Sequence, residues 1–455
     1  MNRKAGHNLS QRFMRSNFAQ LLLAILAVMV SGCVLPPKPP SLESVSTNKK
    51  LPAEKNFWWG TSTATYQNED RGVPKDSPMY FKTDWDLFGE EGSAPVRGED
   101  ATFSWTHFDK DLAALKTLGV THYRFGVEWA RVEPQPGVIN QAALDRYVSM
   151  ARKLRAAGIE PIVTLWHFTF PGWLYDSKQK ARSNFLHPDM LPAWRAHVER
   201  VVTAMKDDVR IWVPQNEPNG ALQLGYIAGH WPPGLLLRPL AYKKAMRAGV
   251  TMFRDASDII HRMRPNAIVM GIYSLPHWRK NRMQDPTYLV YNIVQRQNFD
   301  HLDMVADKMD IIGVNYYYSQ DASITRFLNR DHGERGADYT QLGWEIQPEG
   351  LYSTLMTVHK RYNKPVVISE NGLGTASEHK KIRYIREHVN QMRRAMNDGV
   401  DVRGYFPWTL VDNYEWTEGW TANFGVSYFD PKTKERIIEP SGTWFSKLIE
   451  ANPNP

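Results

Sequence analysis

The chain has 455 residues, 42% of them hydrophobic, with a single cysteine and a formal net charge of +8. That length exceeds one ordinary domain but suits one α/β barrel with insertions, and one cysteine excludes internal disulfides and a thiolate-built metal centre. The charge does not argue for nucleic acid: residues 1–56 hold 8 Lys/Arg against 2 Asp/Glu, which leaves 48 against 46 in all the others, so the bulk of the chain carries no basic footprint.

The basic excess belongs to the N-terminus. Arg3, Lys4, Arg12 and Arg15 precede the apolar run LLLAILAVMV (21–30), the pattern of an export signal. The run is shorter than the ~20 residues that span a bilayer as a helix. It leads into VSGC, ending at Cys33, which resembles the lipobox of bacterial lipoproteins. That resemblance implies that residues 1–32 are removed and that Cys33 carries lipid. The mature protein would then be exported and anchored to a bacterial membrane, on its periplasmic or cell-surface side. The Pro-, Ser- and Lys-rich stretch that follows, within 33–56, reads as a tether, with one folded domain over 57–455.

From Phe57 onward apolar runs alternate with helical patterns. Strands are predicted within NFWWGTST (56–63), HYRFGVEW (122–129), EPIVTLWHF (160–168) and IWVPQNEP (211–218). Four more are predicted within AIVMGIYS (267–274), DIIGVNYY (310–317), PVVISENG (365–372) and VRGYFPWTL (402–410). Between them, FDKDLAALKTLG sets Leu112, Leu115 and Leu118 at helical spacing and stops at Gly119. QAALDRYVSMARKLRAAG puts Leu144, Tyr147, Val148, Ala151 and Leu154 on one stripe and stops at Gly158. DMLPAWRAHVERVVTAMKD and KKIRYIREHVNQMRRAMNDG repeat the pattern. Eight strands alternating with helices predict a single (β/α)8 barrel with extended loops at its C-terminal face. The open doubly wound alternative would often show a Gly-rich turn after the first strand; here GTSTATYQNED offers one glycine. The stretch 319–347 has no period and is expected to be a loop over the barrel mouth.

Two predicted strands end in an acid: Ile211-Trp212-Val213 leads to Glu217, and Val366-Val367-Ile368 leads to Glu370. An acid at one strand end is usually just solvated. In a parallel barrel, however, all C-terminal ends open on one face, where active sites of this architecture sit. Two carboxylates on that face are the machinery of glycoside hydrolysis. Gln67, His167, Asn216, Asn315, Trp408, Glu415 and Trp416 fall at or just past other strand ends. Their amides, imidazole and carboxylate suit hydroxyl groups, and their indoles suit a pyranose face. Singly, each reads more readily as packing or a satisfied core residue; seven of them on one predicted face shift the reading toward a ligand. No HExxH, G-x-x-x-x-G-K-[ST] or G-x-S-x-G motif is present.

From Phe57 to about Trp444 the chain resembles glycoside hydrolase family 1, the retaining β-glucosidases and β-galactosidases. The resemblance is carried by FWWGTSTATYQNE, QNEP, ISENG and YFPWTLVDNYEWTEGWTANFGVSYFD (405–430). It implies Glu217 as acid/base, Glu370 as nucleophile and Arg124 as the group that keeps the nucleophile ionised. Asn216 would hold the sugar 2-hydroxyl, and Gln67, His167, Glu415 and Trp416 the other hydroxyls. Tyr317 would sit beside the nucleophile, with Asn315 close by and Trp408 as the floor. The substrate would be a β-linked glycoside, with no metal or organic cofactor. The sequence departs from the family at WHFTFP, where Phe168 and Thr169 replace Trp-Asp, at Gln215, and at Asn68-Glu69-Asp70. Two rivals follow. A 6-phospho-β-glycosidase is opposed by Glu415, which would repel a phosphate, and an inactive sugar-binding relative is opposed by the retention of Glu217, Glu370 and Arg124.

Overall fold

The computed structural model describes residues 56–283, 285–323 and 338–455; Cys33, the expected signal and the expected tether lie outside them. Eight strands form one closed parallel barrel. They are β1 (Trp58–Ser62), β2 (His122–Gly126), β3 (Glu160–Thr164), β4 (Ile211–Val213), β5 (Ile268–Ser274), β6 (Ile311–Asn315), β7 (Val366–Asn371) and β8 (Val402–Pro407). Each pairs with its sequence neighbours, and β8 returns to β1 through Trp58 beside Gly404.

The strands read as unbroken apolar runs because both faces are buried. Trp58, Ile162, Ile211, Val213, Ile268, Met270, Ile272, Ile311, Val367 and Phe406 form a cluster of their own inside the barrel. Val269, Ile312, Val314, Val366 and Ile368, at alternate positions, join the larger cluster under the helices. Gly404 is needed inside, since a Cβ there would lie 2.8 Å from the Trp58 Cβ.

The helices that follow the strands in turn are α1 (Phe108–Leu118), α2 (Gln141–Ala156), α3 (Met190–Met205), α4 (Pro239–Met263), α5 (Leu289–Val305), α6 (Pro348–Tyr362), α7 (Glu378–Asn397) and α8 (Pro440–Ala451). The predicted stripe of α2 is buried throughout, and the Asn140 side chain accepts the Ala143 N–H at 3.1 Å to cap it. α1 stops where expected, at Gly119 with φ 69°. Among the described residues no helix is long and apolar enough to cross a membrane.

One expectation needs correction. The stretch 319–347 is not all loop: Ser319–Asp321 pairs in parallel with His277–Arg279, and Tyr339 bridges Glu345. Residues 324–337 of it lie outside the described residues. Arg279 organises the rest, donating to Asp321 at 2.7 Å, Glu345 at 2.9 Å and Gln347 at 2.7 Å. Polar side chains brought together from distant positions leave no periodic trace in a sequence.

Candidate active site

Every predicted site residue among the described residues lies in one contact network at the C-terminal ends of the strands. Arg124 is on β2, Asn315 ends β6, and Glu370 is the penultimate residue of β7. Asn216 and Glu217 follow β4, Gln67 follows β1, His167 follows β3, and Trp408, Glu415 and Trp416 follow β8.

The turn after β4 sets the direction of Glu217. Its N–H donates to Ile272 O at 2.9 Å, and its backbone is left-handed, φ 45° and ψ 50°. Such a backbone costs a non-glycine residue about 1–3 kcal/mol. Pro218 then starts the helix Pro218–Tyr226.

The two acids have different neighbours. Glu370 Oε1 accepts from Arg124 Nη2 in a buried ion pair, and Glu370 Oε2 accepts from the Tyr317 hydroxyl at 2.5 Å. Glu217 Oε1 accepts from the amide of Asn315 at 2.8 Å. Asn315 Oδ1 in turn accepts from Ser369 Oγ at 2.7 Å, which holds the amide N–H toward Glu217. Burial first, and the Glu370 charge second, push the Glu217 carboxyl up to about 8. That direction favours the protonated, proton-carrying form of Glu217.

Polar groups spread from this pair. Arg124 Nη1 donates to Asn216 Oδ1 at 2.8 Å, and the Asn216 amide lies 3.2 Å from His167 Nε2. Burial and the Arg124 charge push His167 well below its ordinary value, so the ring is neutral. Gln67 Nε2 donates to Tyr414 O at 2.7 Å and to Glu415 Oε2 at 3.2 Å. Glu415 also accepts from the Trp408 side chain, and burial with the Glu370 charge raises it to about 8. Gln67 Oε1 and His167 Nδ1 are buried without a partner. Two unsatisfied polar atoms on residues of one contact network suit a ligand that brings hydroxyls.

Aromatic rings wall this space. His167 lies at 6.0 Å from Trp408 and 6.1 Å from Trp416. Trp416 stacks on Tyr66 and packs against Trp85 at 4.7 Å, Phe168 at 5.1 Å and Trp231 at 5.6 Å. Sequence reasoning missed Ser369, Trp85 and Trp231. Ser369 stands next to Glu370 in the strand and could have been suspected from that; Trp85 comes from a helix of seven residues, Asp84–Glu90, too short to show a period, and Trp231 from a loop.

The chain matches the model of glycosyl hydrolase family 1 over residues 48–267 and 252–454. It is 29% identical to beta-glucosidase A of Thermotoga maritima, an alignment covering 89% of this chain and 98% of that protein. It is 28% identical to a 1,4-beta-D-glucan glucohydrolase of Thermotoga neapolitana, covering 89% and 99%. The crystal structure of Fpglu1 from Fervidobacterium pennivoraus superposes with a TM-score of 0.78 at 27% identity, covering 88% of this chain and 96% of that one. The beta-glucosidase of Thermotoga maritima in complex with cyclophellitol gives 0.74 at 26%, covering 90% and 100%. A closed eight-stranded barrel, two acids at its mouth and a match along nearly the whole domain lead to one assignment: the chain belongs to glycosyl hydrolase family 1 and is a glycoside hydrolase.

Proposed function

We propose that the protein is a retaining, exo-acting β-glycosidase of the β-glucosidase type, working by double displacement. The Glu370 carboxylate attacks the anomeric carbon as Glu217 gives its proton to the departing glycosidic oxygen. The resulting glycosyl ester is opened by water, whose proton returns to Glu217. Asn216 holds the 2-hydroxyl. Gln67, His167, Glu415 and Trp416 hold the remaining hydroxyls, and Trp408 forms the floor. The wall of Trp416, Trp85, Tyr66 and Trp231 behind the hydroxyl-binding groups supports action on a terminal sugar.

The observation that carries this reading is the asymmetry of the acids. Glu370 receives a guanidinium and a phenol, as an attacking carboxylate needs. Glu217 receives a neutral amide and is pushed up to about 8, as a proton donor needs. The N-terminal pattern adds a location: export, with a lipid anchor at Cys33.

Azide tests the roles. On an aryl β-glucoside with a good leaving group, Glu370→Ala with azide should give the glycosyl azide of inverted configuration. Glu217→Ala keeps the nucleophile and should give the retained azide. The opposite stereochemistries would reverse the two roles. An unmodified enzyme without turnover of any β-glycoside would point to a sugar-binding protein instead.

A further inference from the structure

Three buried side chains that the double-displacement reading leaves unused meet beside the sugar-binding residues: Thr65, Glu128 and Thr169, at 6%, 3% and 4% exposure. Thr65 Oγ1 donates to Glu128 Oε2 at 2.8 Å. Thr169 Oγ1 lies 3.1 Å from both Glu128 oxygens, and the Ala130 N–H reaches Oε1 at 3.3 Å. The partners of this buried carboxylate are hydroxyls and an amide rather than a cation. Gly126 makes room for the contact, because a Cβ there would lie 2.8 Å from Thr65 Cγ2.

The position of the three residues gives the contact its meaning. In the barrel β2 lies between β1 and β3. Glu128 follows β2. Thr65 opens the short helix Thr65–Asn68, which carries Gln67, and that helix follows β1. Thr169 follows β3 on the loop that carries His167. One carboxylate therefore ties both neighbouring loops to its own. A second link runs beneath it: the Glu128 N–H reaches the Tyr147 hydroxyl at 3.1 Å, and Tyr147 donates to Glu69 Oε2 at 2.8 Å. Hydrogen bonds to a charged acceptor are the strong ones, and a buried carboxylate stripped of them is costly.

Gln67 and His167 each hold one buried polar atom that no protein group satisfies. The aim of those atoms depends on where their loops are held. We propose that Glu128 is a positioning residue for glycone recognition: by joining Thr65 to Thr169 it fixes Gln67 and His167 relative to one another, so that both meet hydroxyls of the same sugar ring. This rests on the reading that Gln67 and His167 bind those hydroxyls.

The test is a ratio. The kcat/KM of an aryl β-glucoside is divided by that of its 3-deoxy and 4-deoxy analogues, in the parent enzyme and in Glu128→Ala, Glu128→Gln, Thr65→Val and Thr169→Val. A site built to bond a hydroxyl discriminates strongly against its loss, here by about 10²-fold or more. Misplacement by about 1 Å costs a similar factor, so Glu128→Ala should bring the ratio within about 10-fold of unity. Glu128→Gln keeps an acceptor and an amide for the two hydroxyls and should retain most of the ratio. Each valine variant should lower it in part, and neither should lower it further in the Glu128→Ala background, because the pairs share one partner. The ratio is independent of the fraction of folded enzyme. A Glu128→Ala enzyme that is less stable with an unchanged ratio therefore overturns the proposal. If Glu128→Ala does not fold, unchanged ratios in both valine variants overturn it equally. A parent enzyme that shows no discrimination refutes the hydroxyl-binding roles of Gln67 and His167 themselves, and the proposal with them.

Discussion

The Arg124 guanidinium is bonded to Glu370 inside the barrel mouth, and the two side chains are 1% and 5% exposed. The same guanidinium holds Asn216, the residue before Glu217. One cation from β2 thus supports one acid directly and orients the approach to the other.

Removing that cation should be severe. Breaking a buried ion pair by deleting one partner costs about 3–5 kcal/mol, here at the carboxylate proposed as nucleophile. Arg124→Met should lower kcat by at least about 10²-fold in steady-state assays with aryl β-glucosides. Arg124→Lys should lose most of that too, since an ammonium cannot reach Glu370 and Asn216 through a planar fork. A Lys variant with near-parental kcat would show that charge alone is enough.

Tyr317 makes a smaller contribution. Its hydroxyl donates to Glu370 Oε2 at 2.5 Å, and hydrogen bonds to charged groups are worth about 1.5–3 kcal/mol. Tyr317→Phe should reduce kcat by roughly 10-fold to 10²-fold and leave the thermal midpoint within a few degrees of the parent. An unaltered rate with a changed KM would place the phenol on the substrate instead.

How much of this could be read from the chain depends on distance in sequence. Glu217 and Glu370 were legible because each ends an unbroken apolar run, and the parallel barrel then puts all such ends on one face. The stripe of α2 and the stop at Gly119 were legible because their signals are local. The clamp of Arg279 on Asp321 and Glu345 was not, nor was the packing of Trp85 and Trp231 on Trp416. Those contacts join residues far apart in sequence, on a short strand pair, a short helix and loops, and nothing in the flanking residues announces them. Thr169 was visible only as a departure from the family pattern; its partner Glu128 became evident when the strand order set β1 and β3 on either side of β2.

The barrel should not need the N-terminal segment. The folded domain ties its own start to its own end: Phe57 N donates to Asn454 Oδ1 at 3.0 Å, and Trp59 Nε1 to Asn452 O at 2.8 Å. A chain beginning near Leu51 should fold and turn over a β-glucoside at the rate of the full-length protein. After export, Cys33→Ser should move the protein from the membrane fraction to the soluble fraction with unchanged activity. Persistent membrane association of that variant would place the anchor elsewhere.

The last prediction concerns pH. Burial and the charge of Glu370 raise both Glu217 and Glu415 to about 8. In the proposed mechanism Glu217 is protonated to donate, so kcat/KM should fall as pH rises through about 8, on a limb that belongs to the interacting acids as a group. Stability carries the same information with a definite sign. Both groups titrate near 4.5 when exposed and near 8 in the fold. Between those values the folded state binds more protons than the unfolded state, so the two groups make stability decline as pH climbs from 4.5 to 8. Glu217→Gln and Glu415→Gln remove that decline. The thermal midpoint of each variant minus that of the parent should therefore grow between pH 4.5 and pH 8, by about 1 °C or more, since roughly 1 kcal/mol shifts a domain of about 400 residues by about 1 °C. Below pH 4.5 the difference should be flat, since the carboxyls are protonated in both states. A difference that stays constant across the whole range would show that these carboxyls are ionised in the folded protein, and would remove Glu217 as the proton donor at neutral pH.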